Sequence, residues 1–204
     1  MLRTETVEHN TLELLKDLMS KEYLKDFVLV GGTALALQMG QRKSIDLDLF
    51  TNKEFNAQEL LVNLKNDFNI QTLTLLNQTL ISNIDSIKVD FIHFSYPFIR
   101  PVKNIDNVRL LDIEDIAPMK LDAITGRGSK KDFYDLYFLL SIIPLKKMIE
   151  LYKEKYPHQT TFHVIRSLGY FDDAELQPDP IVFDKKVTWD KVKTKIINEI
   201  KKHI

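Results

Sequence analysis

Ser44-Ile45-Asp46-Leu47-Asp48-Leu49-Phe50 alternates polar and apolar side chains with a period of two, which predicts a half-buried strand. On that strand Asp46 and Asp48 project from one face while Ile45, Leu47 and Leu49 line the other. The two aspartate α-carbons would lie about 6.5 Å apart, given about 3.3 Å of rise per residue. Like charges at that distance repel by about 2.5 kcal/mol when the effective dielectric is about 20. Aspartate is also a poor strand residue. The pair therefore either faces water or holds a cation, and an all-oxygen donor set suits a hard divalent ion such as Mg²⁺ or Mn²⁺.

Upstream, the apolar run Phe27-Val28-Leu29-Val30 reads as a buried strand that enters the turn Gly31-Gly32-Thr33. Thr33 to Met39 follows as a short helix stopped by Gly40. A strand, a glycine turn and a helix N-terminus together present backbone N–H groups to an anion such as a phosphate. The same signal also describes an ordinary strand-to-helix turn. Downstream, Lys88-Val89-Asp90-Phe91-Ile92-His93-Phe94 is a second apolar strand with an acid inside it. Asp90 either supplies a third carboxylate or pairs with Lys88. Three carboxylates beside a phosphate cradle are what metal-assisted phosphoryl or nucleotidyl transfer requires.

Composition bounds the answer without naming it. The chain has 204 residues, 44% of them hydrophobic, enough to build a core without disulfides or metal staples. Its 28 basic and 29 acidic side chains leave a net charge of −1, which argues against a generally basic nucleic-acid binder. Cysteine is absent, so thiolate metal sites and disulfide scaffolds are excluded. Met1 to Glu8 carries charges and no apolar run, and no apolar stretch is long enough to span a bilayer, so a cytoplasmic chain with no membrane partner is expected.

The remaining pattern predicts an α+β chain. Leu12, Leu15, Leu18, Met19 and Tyr23 mark a first helix, with Asn10 and Glu13 spaced as its cap pair. Ala57 to Phe68 reads as another helix, and Ile70 to Phe94 as two or three antiparallel strands with tight turns. Tyr96 to Asn107, with Pro97 and Pro101, reads as a linker. Helices follow over 112–126, 130–143, 145–155, 160–169 and 188–203. The expected division is a mixed core over 1–111 and a helical part over 112–204.

Gly31-Gly32-Thr33, then Arg42-x-Ser44-x-Asp46-x-Asp48, then Asp90 on a later strand, resembles the nucleotidyltransferase superfamily with a polymerase-β-like core. Asp115-Ile-Ala-Pro-Met-Lys120 and Arg127-Gly-Ser-Lys-Lys-Asp132-Phe-Tyr-Asp135 narrow the resemblance to the AbiEii/AbiGii branch, toxins of abortive-infection and type IV toxin–antitoxin pairs. The resemblance runs from about Phe27 to Leu140, and more weakly around Trp189.

It implies that Asp46, Asp48 and Asp90 hold Mg²⁺ and that Gly31, Gly32, Thr33, Arg42 and Ser44 meet the phosphates of an NTP. Lys120 is implied near the triphosphate and Asp132 in the last motif. It further implies an RNA acceptor, in particular a tRNA 3′ end, and an antitoxin partner. A small-molecule acceptor such as an antibiotic, or a nucleotide-binding module without catalysis, are the competing readings.

Several motif residues keep a second reading. Arg42 either binds a phosphate or pairs with an acid. Ser129 and Asp132 are spaced as an N-cap and its N3 partner. Asp135, next to Tyr134 and Tyr137, reads as a buried hydrogen-bond anchor. If Asp115 caps its helix, Pro118 falls in the first turn. The basic loop Gly126 to Lys131 and the tail Lys185 to Ile204, with seven lysines and two acids, either guide an RNA backbone or are solvated.

Overall fold

The register of five neighbouring strands explains why the sheet forms where it does. In the computed structural model, which describes residues 1–203, Leu80, Phe91, Leu49, Leu29 and Leu110 stand opposite one another across successive strands. Each is essentially fully buried. Burial of such a side chain contributes roughly 1.5–3 kcal/mol, so this apolar row dominates the local energetics.

The chain divides into two compact units, one of residues 1–39 and 44–112, the other of residues 40–43 and 113 onward. The first unit contains α1 (His9–Ser20), β1 (Val28–Val30), α2 (Gly31–Met39), β2 (Leu47–Thr51) and α3 (Ala57–Asp67). It continues with β3 (Ile70–Leu76), β4 (Thr79–Ile84), β5 (Ile87–His93), β6 (Lys103–Ile105) and β7 (Val108–Leu110). These strands form one mixed sheet in the order β3-β4-β5-β2-β1-β7-β6. β2 runs parallel to β5, and β1 parallel to β7, while the other neighbours are antiparallel.

The structure corrects several local expectations. β2 begins at Leu47, so Asp46 precedes the strand, and Ile45 is 64% exposed where a core position was expected. Asn10 and Glu13 lie inside α1, whose N-cap is Glu8, and Tyr23 sits in a separate 3₁₀ turn. The segment expected as a linker over 96–107 contains β6, and β6 pairs with β7. Asp106 and Asn107 both have positive φ, 53° and 64°, which is the two-residue turn geometry that matches strand twist. Asp85 and Ser86 do the same between β4 and β5, so Ile70 to His93 holds three strands.

The second unit is helical: α4 (Ile113–Arg127), α5 (Lys130–Leu139), α6 (Leu145–Lys155), α7 (Thr161–Leu168), α8 (Asp172–Glu175) and α9 (Trp189–His203). The short segment 40–43 joins it through a bridge between Arg42 and Val182 and hydrogen bonds to Ile181 and Phe183. Trp189 packs against Phe133, Tyr134 and Phe171, and Val192, Ile196 and Ile200 of the same helix are buried. Ile204, the last residue of the basic tail, lies outside the described residues. Pro118 falls inside α4, beyond its first turn, where its missing N–H removes an interior helix bond. Among the described residues no helix is long and apolar enough to cross a membrane.

Candidate active site

Parallel pairing of β2 with β5 places Asp48 directly opposite Asp90. Neighbouring strands are about 4.8 Å apart, and two carboxylates at roughly 5 Å repel by about 3 kcal/mol at an effective dielectric of about 20. The fold offsets this with a cation. Lys88 lies two residues before Asp90, on the same side of β5, and its Nζ is 2.7 Å from Asp90 Oδ2. Burial alone would lower the Lys88 pKa, but Asp90, Asp46 and Asp48 together hold it above its ordinary value. The pairing left open at Asp90 is therefore present. The other oxygen, Asp90 Oδ1, is buried without a hydrogen-bond partner.

Gly31 heads α2 and has φ +69°, a conformation that favours glycine. A Cβ placed there would stand 2.4 Å from Asp48 Oδ2. The glycine turn and the carboxylate are thus in close approach within one unit. Gly32 follows in the first turn of α2. Thr33 is 1% exposed, and its hydroxyl is hydrogen-bonded to the Ser44 hydroxyl (2.9 Å) and to the Asp46 carbonyl oxygen. Thr33 and Ser44, singled out for phosphates by the motif, here tie α2 to the segment that carries Asp46. Replacing Thr33 by valine should lower stability by about 1–2 kcal/mol in urea unfolding, the order expected for lost buried hydrogen bonds.

The later motif residues form a second cluster, in the helical unit. Lys120 is 4% exposed, with Nζ 2.9 Å from Asp132 Oδ1 and 2.7 Å from Asp135 Oδ2. Arg42 holds Asp135 in a bidentate pair at 2.7 and 2.9 Å, and Gln41 Nε2 donates to the same carboxylate at 3.2 Å. Of the two readings at Arg42, the structure shows the pairing with an acid. Asp132 accepts from Lys120 and, at 2.7 and 3.0 Å, from Arg127. Ser129 does cap α5 by position, but its side chain makes no cap hydrogen bond, so the capping reading of Asp132 is replaced by this ionic one.

Burial would raise the carboxyl pKa of Asp135, yet Lys120 and Arg42 hold it far below the usual range. Asp132 is lowered for the same reason by Lys120 and Arg127. Lys120 is raised, because Asp135 and Asp132 outweigh its desolvation. Asp115 and Lys120 are five residues apart on α4, about 140° around the helix. They serve different partners, since Asp115 meets Lys155 at 2.7 Å with both side chains fully buried.

Several of the basic groups proposed to face RNA pair within the protein, although most of them remain exposed. Arg127 holds Asp132, and Lys130 is buried, 5.1 Å over the Trp189 ring. In α9, Lys193 meets Glu175 and Asp190, Lys195 donates to the Tyr137 carbonyl and to Ser141, and Lys202 meets Glu199. Sequence reasoning offers Lys88 as the alternative partner of Asp90, and the structure shows that pairing.

The donor chemistry of Asp46, Asp48 and Asp90 fits a hard divalent ion, and the partnerless Asp90 Oδ1 fits an oxygen reserved for a ligand. In the present side-chain arrangement no three acidic, histidine or cysteine groups converge closely enough to hold a metal, among the described residues.

The family described as nucleotidyl transferase AbiEii toxin, type IV TA system, matches residues 13–106 and 86–202. An Aquifex aeolicus protein, aq_aa25, is 35% identical over 198 residues, covering 94% of this chain and 95% of that one. Among solved structures, JHP933 from Helicobacter pylori has a TM-score of 0.57 at 19% identity, covering 96% of this chain and 92% of that one. MenT4, a nucleotidyltransferase toxin of Mycobacterium tuberculosis, has a TM-score of 0.59 at 15% identity, covering 98% and 86%. With nearly its whole length matched and its glycine turn packed on a strand aspartate, the chain belongs to the AbiEii family of nucleotidyltransferase toxins from type IV toxin–antitoxin systems.

Proposed function

We propose that this nucleotidyltransferase is Mg²⁺-dependent and moves a nucleoside monophosphate from an NTP to a hydroxyl of RNA, with a tRNA 3′ end as the favoured acceptor. Asp46, Asp48 and Asp90 would hold the metal, which when bound neutralises phosphate charge and polarises the α-phosphorus centre. The observation that carries the reading is Asp48 placed between two partners, opposite Asp90 in the sheet and against Gly31 at the start of α2. The N-terminal amides of α2 suit phosphate oxygens, and Gly31 admits close approach. Asp90 takes the acceptor's proton as the new bond from the acceptor oxygen to the α-phosphorus forms and the bond to pyrophosphate breaks. Thr33 and Ser44 position Asp46. Arg42, Lys120 and Asp132 organise the buried ionic network of the helical unit, and bringing Lys120 to a triphosphate would require it to leave Asp132 and Asp135. The family further supports an antitoxin encoded with this chain.

The test is incubation with α-labelled NTPs, Mg²⁺ and total RNA. Label should pass to RNA, and Asp46→Asn or Asp48→Asn should reduce transfer by about 1,000-fold, the order expected when preorganised charge stabilisation is removed. RNA labelling that survives both substitutions would overturn the proposal. The engagement of Arg127, Lys130 and Lys195 by partners within the helical unit favours one second reading, a small-molecule acceptor. An aminoglycoside and lincosamide panel run beside the RNA distinguishes the two by which pool takes the label.

A further inference from the structure

We infer that Phe50, Phe94, Tyr96 and Phe98 form an acceptor subsite, a stacking shelf for the unpaired terminal base of an RNA. It lies on the far side of the strand carboxylates from the glycine turn. The inference rests on the RNA-acceptor reading above. Its direction follows from register. β1 runs from Val28 to Val30 and enters Gly31, and antiparallel pairing sets Val30 against Asp48 and Val28 against Phe50. The step from Asp48 to Phe50 therefore leads away from the glycine turn, by about 7 Å at about 3.3 Å per residue. β5 runs parallel to β2 and takes the same course. It passes from Asp90 through Ile92, which pairs with Phe50, to Phe94, whose N–H donates to the Thr51 carbonyl oxygen at 2.7 Å. Phe50 and Ile92 share the sheet face of Asp48 and Asp90, opposite to the buried Leu49 and Phe91.

In such a transfer the attacking and leaving oxygens stand roughly in line. Pyrophosphate leaving towards the amides of the glycine turn brings the acceptor in from the opposite side, where the rings stand. The Phe94 ring centroid is 5.8 Å from that of Phe50, 5.5 Å from Tyr96 and 6.4 Å from Phe98, the last nearly parallel at 19°. Core aromatics of the same chain are sealed: Phe27, Phe91, Phe133 and Tyr134 are at most 4% exposed. The four shelf rings are only half-buried, so aromatic surface stays in water beside the carboxylates. An uncharged aromatic shelf suits a base rather than a phosphate, and proteins hold unpaired RNA ends by stacking splayed bases on such rings.

The experiment measures label transfer from α-labelled NTP to total tRNA, varying each substrate in turn. Phe94→Leu should raise the KM for tRNA by about tenfold, the order of one lost base–aromatic stack, with kcat and the KM for NTP within about twofold. Phe94→Trp keeps an aromatic face and should stay within about threefold of the natural chain. Tyr96→Leu, outside any strand, gives the same reading if Phe94→Leu fails to fold. A short unpaired oligoribonucleotide ending in 2-aminopurine reports stacking without catalysis. Its fluorescence should be quenched by the natural chain and recover with the leucine variants. An unchanged KM for tRNA, or a quench that survives in folded leucine variants, overturns the shelf and leaves the RNA reading standing. A rise in the KM for NTP alone assigns the rings to the NTP base and also overturns the acceptor subsite. Absence of RNA labelling by the natural chain overturns the RNA reading, and this inference with it.

Discussion

Replacing Asp135 by alanine is expected to destabilise the helical unit by about 3–5 kcal/mol, the range measured when one partner is removed from a buried ion pair. The magnitude follows from what remains behind. Asp135 is fully buried and accepts from Gln41, from two nitrogens of Arg42 and from Lys120. Its loss leaves Arg42 and Lys120, both about 4% exposed, without their shared carboxylate. Lys120 keeps Asp132 and Arg42 keeps the Lys43 carbonyl, but the carboxylate they shared is gone. Trp189, the single tryptophan, packs on Tyr134 next to Asp135 in the chain, so its fluorescence reports this unit. Urea unfolding followed at that tryptophan should show the loss, and a change below about 1 kcal/mol would mean that water replaces the carboxylate, contrary to its burial.

The same cluster fixes a pH window. The pKa values of Asp135 and Asp132 are depressed in the folded state, so their contribution is complete above the ordinary carboxyl value of 3.8 and is lost as pH falls through the folded values. Lys120 has the opposite sign. Its folded pKa is raised, so its contribution is complete below 10.5 and is lost as pH rises through the folded value. Between those limits the network contributes in full. Asp135→Ala should therefore flatten the acid limb of a stability–pH curve as well as lower its plateau.

Which parts of this molecule could be read from sequence depends on the range of the interaction. Phe27 to Met39 was legible because an apolar run, a glycine pair and good helix formers are all local signals. The β6–β7 hairpin was not, because its strands have three residues each and its turn is Asp-Asn, without the glycine that normally advertises positive φ. At the site, period two correctly grouped apolar Leu47 with Leu49 on the buried face. It could not say where the strand began, and Ile45 falls outside it. Arg42 illustrates the general limit. Its spacing to Ser44 and Asp46 suggested a phosphate, but its partner lies 93 residues away, and spacing carries no information about that distance. Lys120 and Asp132 were found through their motif, whereas their mutual ion pair appears only once α4 and α5 are packed together.

Gly31→Ala should separate activity from stability. Alanine at φ +69° costs about 1 kcal/mol or slightly more, the usual penalty for an L side chain in the left-handed region. The new methyl group would also meet Asp48 Oδ2 at 2.4 Å. That oxygen is the far end of a short side chain, so the carboxylate can rotate away rather than push the backbone. The strain on folding therefore stays small, and unfolding should shift by about 1–2 kcal/mol. The chemical consequence is much larger. Asp48 stands opposite Asp90 in the sheet, and rotating its carboxylate breaks the array that the two strands build. A displacement of about 1 Å at a reacting centre can cost about 100-fold in rate. Nucleotidyl transfer should fall by about that factor or more, and Mn²⁺ affinity should fall towards that of Asp48→Asn. Parallel measurement of urea unfolding, Mn²⁺ binding and label transfer decides the matter. Full activity in a folded Gly31→Ala protein would show that the close approach of Gly31 to Asp48 is not required for the chemistry, whereas loss of activity with little loss of stability identifies the glycine as the residue that sets the Asp48 carboxylate in place.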